Sequence, residues 1–161
     1  LSSSVDHETD IARVAQLLGR PPHGDFDVVV RDERGWPVVI RNAPLLGDGT
    51  PMPTRYWLVG KNEVANVGRL ESAGGVDRAE ADIGLERIAC AHQLYAAERT
   101  AALPPGYVGP VPSGGVAGTR VGVKCLHAHY AWFLAGGDDP VGAWVADRLA
   151  HASASICDAA Q

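Results

Sequence analysis

Lys124, Cys125, His127 and His129 stand together in the stretch KCLHAH, which runs directly into Tyr130, Trp132 and Phe133. Those side-chain types support three chemistries. A zinc site needs three or four sulfur, nitrogen or oxygen ligands, and Cys125 with His127, joined by His92 from elsewhere in the chain, would supply them, although the spacing matches no established zinc signature. A cysteine in the first turn of a helix, beside Lys124 and near a histidine, has its thiolate favoured by the dipole and by charge; Cys125 would then be a nucleophile with His127 or His129 as base. The third chemistry is binding without bond-making, in which Arg120, Lys124 and helix amides, with the Gly114–Gly115 loop, hold a phosphate or carboxylate. Against these stands the commoner outcome, an inert buried cysteine with two satisfied histidines.

Backbone conformation decides which side chains meet. If 124–135 is helical throughout, Cys125, His129 and Trp132 share a side and His127 points away. If the stretch begins as a strand, Cys125, His127 and His129 face one way.

A second polar group sits on the longest uninterrupted segment. At about 100° per residue, Leu85, Ile88, Ala89, Ala96 and Leu103 make an apolar stripe, and His92, Tyr95 and Arg99 fall inside it. A guanidinium facing a core needs a carboxylate, an anion or a route to the surface. Glu71 is a candidate partner.

The positioning elements follow from period and punctuation. Ile11, Val14, Ala15 and Leu18 have helical spacing over 8–19, ended by GRPP. FDVVVR (26–31) and WPVVIR (36–41), joined by DERG, form an antiparallel hairpin, and RYWLVG (55–60) adds a third strand. A helix spans 61–75 up to the Gly74–Gly75 pair. Asp77 and Glu80 suggest a capping box opening the longest helix, to about Leu103, with Gly84 its one breaker. The Pro/Gly-rich 104–119 segment is long enough to be functional. Two helices close the chain, one ending at Gly136–Gly137 and one starting at Pro140. Trp36, Trp57 and Trp144 read as core or rim aromatics, while Cys90 and Cys157 stand apart from the cluster.

The totals limit the function classes. A chain of 161 residues with 46% hydrophobic and 20% charged residues suits one soluble domain over 1–161, with flexible ends at 1–7 and 152–161. A formal charge of −5 with no basic block argues against nucleic acid. No apolar run spans a bilayer, and no signal-peptide pattern opens the sequence, which reads as cytoplasmic. Three cysteines in so apolar a chain point the same way.

The stretches RNAPLLGDGTPMPTRYWLVG, GRLESAGG, AHQLYAAER and RVGVKCLHAHYAWFLAGGDDPVG resemble the domain of unknown function 501 family, bacterial and largely actinobacterial, from about Leu18 to Leu149. The resemblance implies a cytoplasmic protein without an assigned activity. Its motif residues map onto Thr54, Tyr56, Glu71, His92, Tyr95, Arg99, Lys124, Cys125 and His127.

The expected structure is a single α+β domain, with a small antiparallel sheet of about three strands against four to five helices. The expected centre lies where the Arg99 helix meets the segment from Lys124, under the 104–119 loop. As a binding site it would hold a small anionic molecule with Tyr56, Glu71, His92, Tyr95, Arg99, Arg120 and Lys124. As an enzyme it would use Cys125, His127 and His129, and as a zinc site Cys125, His127 and His92.

Overall fold

The two β-branched runs pair as expected. β1 (Phe26–Arg31) and β2 (Pro37–Asn42) are antiparallel, with Phe26 opposite Asn42 and Val28 opposite Ile40, and β3 (Tyr56–Leu58) lies on the other side of β2. The sheet order is β1-β2-β3. The turn between β1 and β2 needs Gly35 at φ 77° and uses the Asp32 carboxylate to accept the N–H groups of Arg34 and Trp36. As the central strand, β2 buries successive residues Val38, Val39 and Ile40, which is why its sequence does not alternate.

This computed structural model describes the backbone of residues 2–159 and the side chains of residues 6–152. Leu1, residues 160–161 and the side chain of Cys157 lie outside the described residues, as do most of the side chains at the expected flexible ends. Among the described residues there are six α-helices: α1 (Ser2–Leu18), α2 (Lys61–Ser72), α3 (Gly75–Ile83), α4 (Leu85–Ala101), α5 (Leu126–Leu134) and α6 (Pro140–Ala159). Among the described residues no helix is long and apolar enough to cross a membrane.

Three apolar clusters join these elements. Val14 of α1 packs with Phe26, Ile40 and Val59. Val38, Val39 and Tyr56 pack with Ala91 and Tyr95 of α4 and with Ala131 and Trp132 of α5. Val67, Ala79, Ile88, Leu126, Val141 and Val145 tie the helices to one another. The Asp10 carboxylate takes both ends of the Arg31 guanidinium, at 2.9 and 2.6 Å, and fastens α1 to β1.

Two expectations need correction. The helix expected from Asp77 to Leu103 is two helices, because Gly84 at φ 86°, ψ 144° occupies backbone space that L-residues avoid; among the described residues α6 is therefore the longest helix, and there are six helices where four to five were expected. Asp77 and Glu80 form no capping box. Asp77 lies in the first turn of α3, whose N-cap is Gly74, and the Glu80 carboxylate accepts the N–H of Val123 at 2.6 Å.

Gly84 offers a clean test of that break, since a Cβ there meets nothing within 4 Å. Gly84→Ala is expected to lower stability by about 1–3 kcal/mol through backbone strain alone, measured as a reduced urea midpoint with an unchanged m-value.

Candidate functional site

The chain is extended at Cys125 (φ −158°, ψ 122°) and helical from Leu126, so each backbone expectation holds over part of the segment. Cys125 occupies the N-cap position without capping through its side chain. The first-turn amide of Leu126 instead donates to Glu71 Oε1 at 2.6 Å, bringing a carboxylate from α2 to the positive end of α5. His127 Nδ1 lies 3.1 Å from the same oxygen, and His127 Nε2 lies 3.1 Å from the carbonyl of Val64. A carbonyl only accepts, so Nε2 carries a proton. The imidazole is pushed up to about 9, first by its hydrogen bond with Cys125, then by the Val64 carbonyl and the Glu71 charge, with burial opposing.

Cys125 and His127 open onto a cavity of about 380 Å³. Its polar wall is Arg20, Thr54, Tyr56 and Lys124, and its apolar wall includes Leu18, Trp57, Leu58 and Ala117. Among the described residues no carboxylate lines it. Arg20 lies over the Trp57 ring at 5.3 Å, and Lys124 is exposed with no hydrogen bond or ion pair among the described residues. Tyr56 donates its hydroxyl to Glu98, which also accepts Trp132 Nε1–H at 2.9 Å. Burial and then Glu98 push the Tyr56 phenol up to about 12, so it stays a neutral donor.

The other expected site residues are used elsewhere. Arg99 is buried and pairs with no carboxylate among the described residues; it donates to the carbonyls of Pro112 (2.6 Å), Gly114 (2.7 Å) and Pro53 (3.3 Å). Glu71, its expected partner, serves α5 instead. His92 accepts the Val116 N–H at Nδ1 (3.1 Å) and donates from Nε2 to the Gly122 carbonyl (2.8 Å), which leaves neither nitrogen for a metal. Gly115 is required beside it, because a Cβ would run into the His92 ring. Tyr95 accepts the Arg55 N–H at 2.7 Å and stacks edge-on against Trp132. His129 is fully buried with Nδ1 2.7 Å from the Asp139 carboxylate. Arg120 donates to the Ser113 hydroxyl on the outside of the loop.

The expected single centre is thus two neighbouring constructions. His92 and Arg99 fasten the 104–119 loop, including the short 3₁₀ turn Val116–Gly118, and that turn contributes Ala117 to the cavity. Tyr56, Lys124, Cys125 and His127 line the cavity or its edge, with Glu71 behind. Sequence inspection missed Arg20, Trp57, Glu98 and Asp139 as participants. Asp139 was findable: it precedes Pro140, and its Oδ1 accepts the N–H groups of Val141 (2.9 Å) and Gly142 (3.2 Å) as an N-cap. Arg20 carried no signal, since it follows a helix stop.

Fold and site define an α+β protein with a thiol-bearing, cation-lined cavity against one sheet edge. The family model described as "Protein of unknown function (DUF501)" matches residues 28–147, and the chain belongs to that family. Among curated proteins and solved structures nothing matches.

Two outcomes test the loop fastening. Arg99→Ala leaves part-buried carbonyls without donors and is expected to cost about 2–4 kcal/mol in urea unfolding, with Arg99→Lys recovering only part, because a single ammonium cannot replace both Nη2, which serves Pro112 and Gly114, and Nη1, which serves Pro53. His92 is held below its ordinary value of 6.5, first by burial, with the Gly122 carbonyl and Asp139 opposing and His129 adding to the depression. The unfolded chain therefore takes up a proton that the folded chain refuses. Stability is expected to fall as pH drops through about 6.5, and His92→Gln is expected to flatten that fall, measured as urea midpoints at successive pH values.

Proposed function

We propose that the protein binds a small organic anion in the cavity between α1, β3 and the start of α5. The observation that carries this is the composition of the wall: Arg20, Lys124 and His127 contribute positive charge, while the carboxylates that serve the site, Glu71 and Glu98, stand behind the wall residues. An anion entering the cavity meets cations first. Trp57, Leu18 and Leu58 give an apolar surface for the ligand's carbon portion, and Thr54 supplies an orienting hydroxyl, the usual composition of a small-molecule pocket.

Binding is favoured over thiol catalysis by the hydrogen bonds of His127. Its ring nitrogens face the Val64 carbonyl and the Glu71 carboxylate, so it holds protons in place and has no free lone pair with which to deprotonate Cys125. His129, the other expected base, is sealed against Asp139. A half-buried thiol on the wall goes with a reducing, cytoplasmic location.

A thermal-shift screen of carboxylates and phosphate monoesters is expected to find a ligand that stabilises the fold by about 2.7 kcal/mol at a hundred times its dissociation constant. Lys124→Ala and Arg20→Ala are each expected to weaken that ligand about tenfold while leaving the ligand-free unfolding midpoint unchanged. Equal stabilisation by the uncharged amide or alcohol analogue would sink the proposal, as would wild-type affinity in both variants.

A further inference from the structure

Beside the cavity, Glu71, Cys125 and His127 bring one oxygen, one sulfur and one nitrogen atom within 4.8 Å of one another. They come from two helices distant in sequence, with the Val67 and Leu126 side chains packed into one cluster beneath them. The arrangement of hydrogen bonds around them has a specific consequence. With Nε2–H committed to the Val64 carbonyl, the neutral ring presents the Nδ1 lone pair to a carboxylate oxygen 3.1 Å away. Two acceptors at that separation repel unless a positive particle lies between them. A proton on Nδ1 is one such particle, and a divalent metal ion is the other.

Three features suit the metal. The edge of a tetrahedron with metal–nitrogen and metal–oxygen bonds of about 2.0–2.1 Å is about 3.3 Å, close to the 3.1 Å between Nδ1 and Oε1. The outer contacts are those that orient ligands: a ring N–H on a backbone carbonyl, and a carboxylate oxygen fixed by the Leu126 amide. The donor set of thiolate, imidazole and carboxylate is borderline-soft, selecting zinc over magnesium or calcium, which prefer oxygen alone.

We propose that Glu71, Cys125 and His127 are the three protein ligands of a zinc-class divalent ion, with its fourth coordination position open to the cavity that Cys125 and His127 line. Three protein ligands plus an exchangeable position is the pattern of a zinc that meets substrate, whereas a purely structural zinc is closed by four. The ligand set differs from the one expected from sequence, with Glu71 in place of His92. The inference shares His127 with the anion-binding reading, since a metal on Nδ1 displaces the proton that makes the ring a cation, but it is tested separately, because Lys124 and Arg20 are not among the proposed ligands.

The test uses the untagged full chain carrying Cys90→Ser and Cys157→Ser, which leaves Cys125 as the sole thiol, stripped with chelator and titrated with zinc alone by calorimetry. One equivalent bound at sub-micromolar affinity is expected. Cys125→Ser and His127→Gln are each expected to weaken it by well over tenfold. Cobalt(II) in place of zinc is expected to show a sulfur-to-metal charge-transfer band that Cys125→Ser abolishes. Glu71→Gln keeps an oxygen to accept the Leu126 N–H, so it preserves the helix start while removing the charged ligand; circular dichroism verifies its fold, and loss of affinity is expected. No zinc uptake at micromolar concentrations, a cobalt spectrum without the sulfur band, or wild-type affinity in folded Glu71→Gln would overturn the proposal.

Discussion

Burying the Arg99 guanidinium under the 104–119 segment is the constraint on which the arrangement of the cavity depends. That segment is rich in proline and glycine and belongs to no sheet, so it cannot organise itself through a backbone ladder. Arg99 supplies the missing donors from one side, to Pro53, Pro112 and Gly114, and His92 supplies an acceptor and a donor from about two turns earlier in α4. The Tyr95 ring between them takes the Arg99 cation at 5.7 Å. Each carbonyl is individually a modest partner, but a buried guanidinium without them would be far more costly than the bonds are favourable. The loop is therefore held from inside, and its 3₁₀ turn presents Ala117 at a fixed place beside α5.

A second set of interactions sets the starts of α5 and α6, and most of it runs from backbone amides to carboxylates. Glu80 takes the N–H of Val123, Glu71 that of Leu126, and Asp139 those of Val141 and Gly142 at the head of α6 while holding His129 of α5. Acidic side chains suit helix N-termini because the first amides have no intrahelical acceptor and carry partial positive charge. One consequence is that the charges nearest Cys125 are engaged in folding. Among the described residues lining the cavity, Lys124 and Arg20 pair with no carboxylate and stand on the rim to confront what enters from solvent.

The sheet and most helix positions were legible because their signals are local. Alternation failed at β2, yet its unbroken Val-Val-Ile run still marked a strand, and Gly74, Gly136 and Pro140 marked helix ends. The break at Gly84 was visible as a glycine, but its backbone angles depend on the need for α3 and α4 to pack separately, which no window of sequence contains. At the site, residue types were legible and pairings were not. The spacing of His92, Tyr95 and Arg99 showed that they face inward. Nothing in the spacing told that Arg99 would meet carbonyls of its own following loop instead of Glu71, because the same inward guanidinium satisfies either arrangement. Glu71 and Cys125 lie far apart in the chain, and their meeting is a property of how α2 packs on α5.

That meeting explains why polar groups accumulate where the sequence runs into an apolar helix. Were KCLHAH simply the wet end of a core helix, its polar side chains would be free to point outward to water. Instead Cys125 is half-buried, His127 is bonded through both nitrogens, and His129 is fully enclosed, each directed to a different partner: the cavity, Glu71 with Val64, and Asp139. The division follows from a helix that starts at Leu126. Positions 125, 127 and 129 would share one face of a strand, but the turn into helix fans them apart by about 100° per residue once the helix begins. His129 thereby enters the interior and secures α6, while His127 stays at the edge between α2 and solvent. The same change of backbone period that makes Cys125 and His127 available to the cavity removes His129 from it, and so confines any chemistry here to one cysteine, one histidine and the carboxylate behind them.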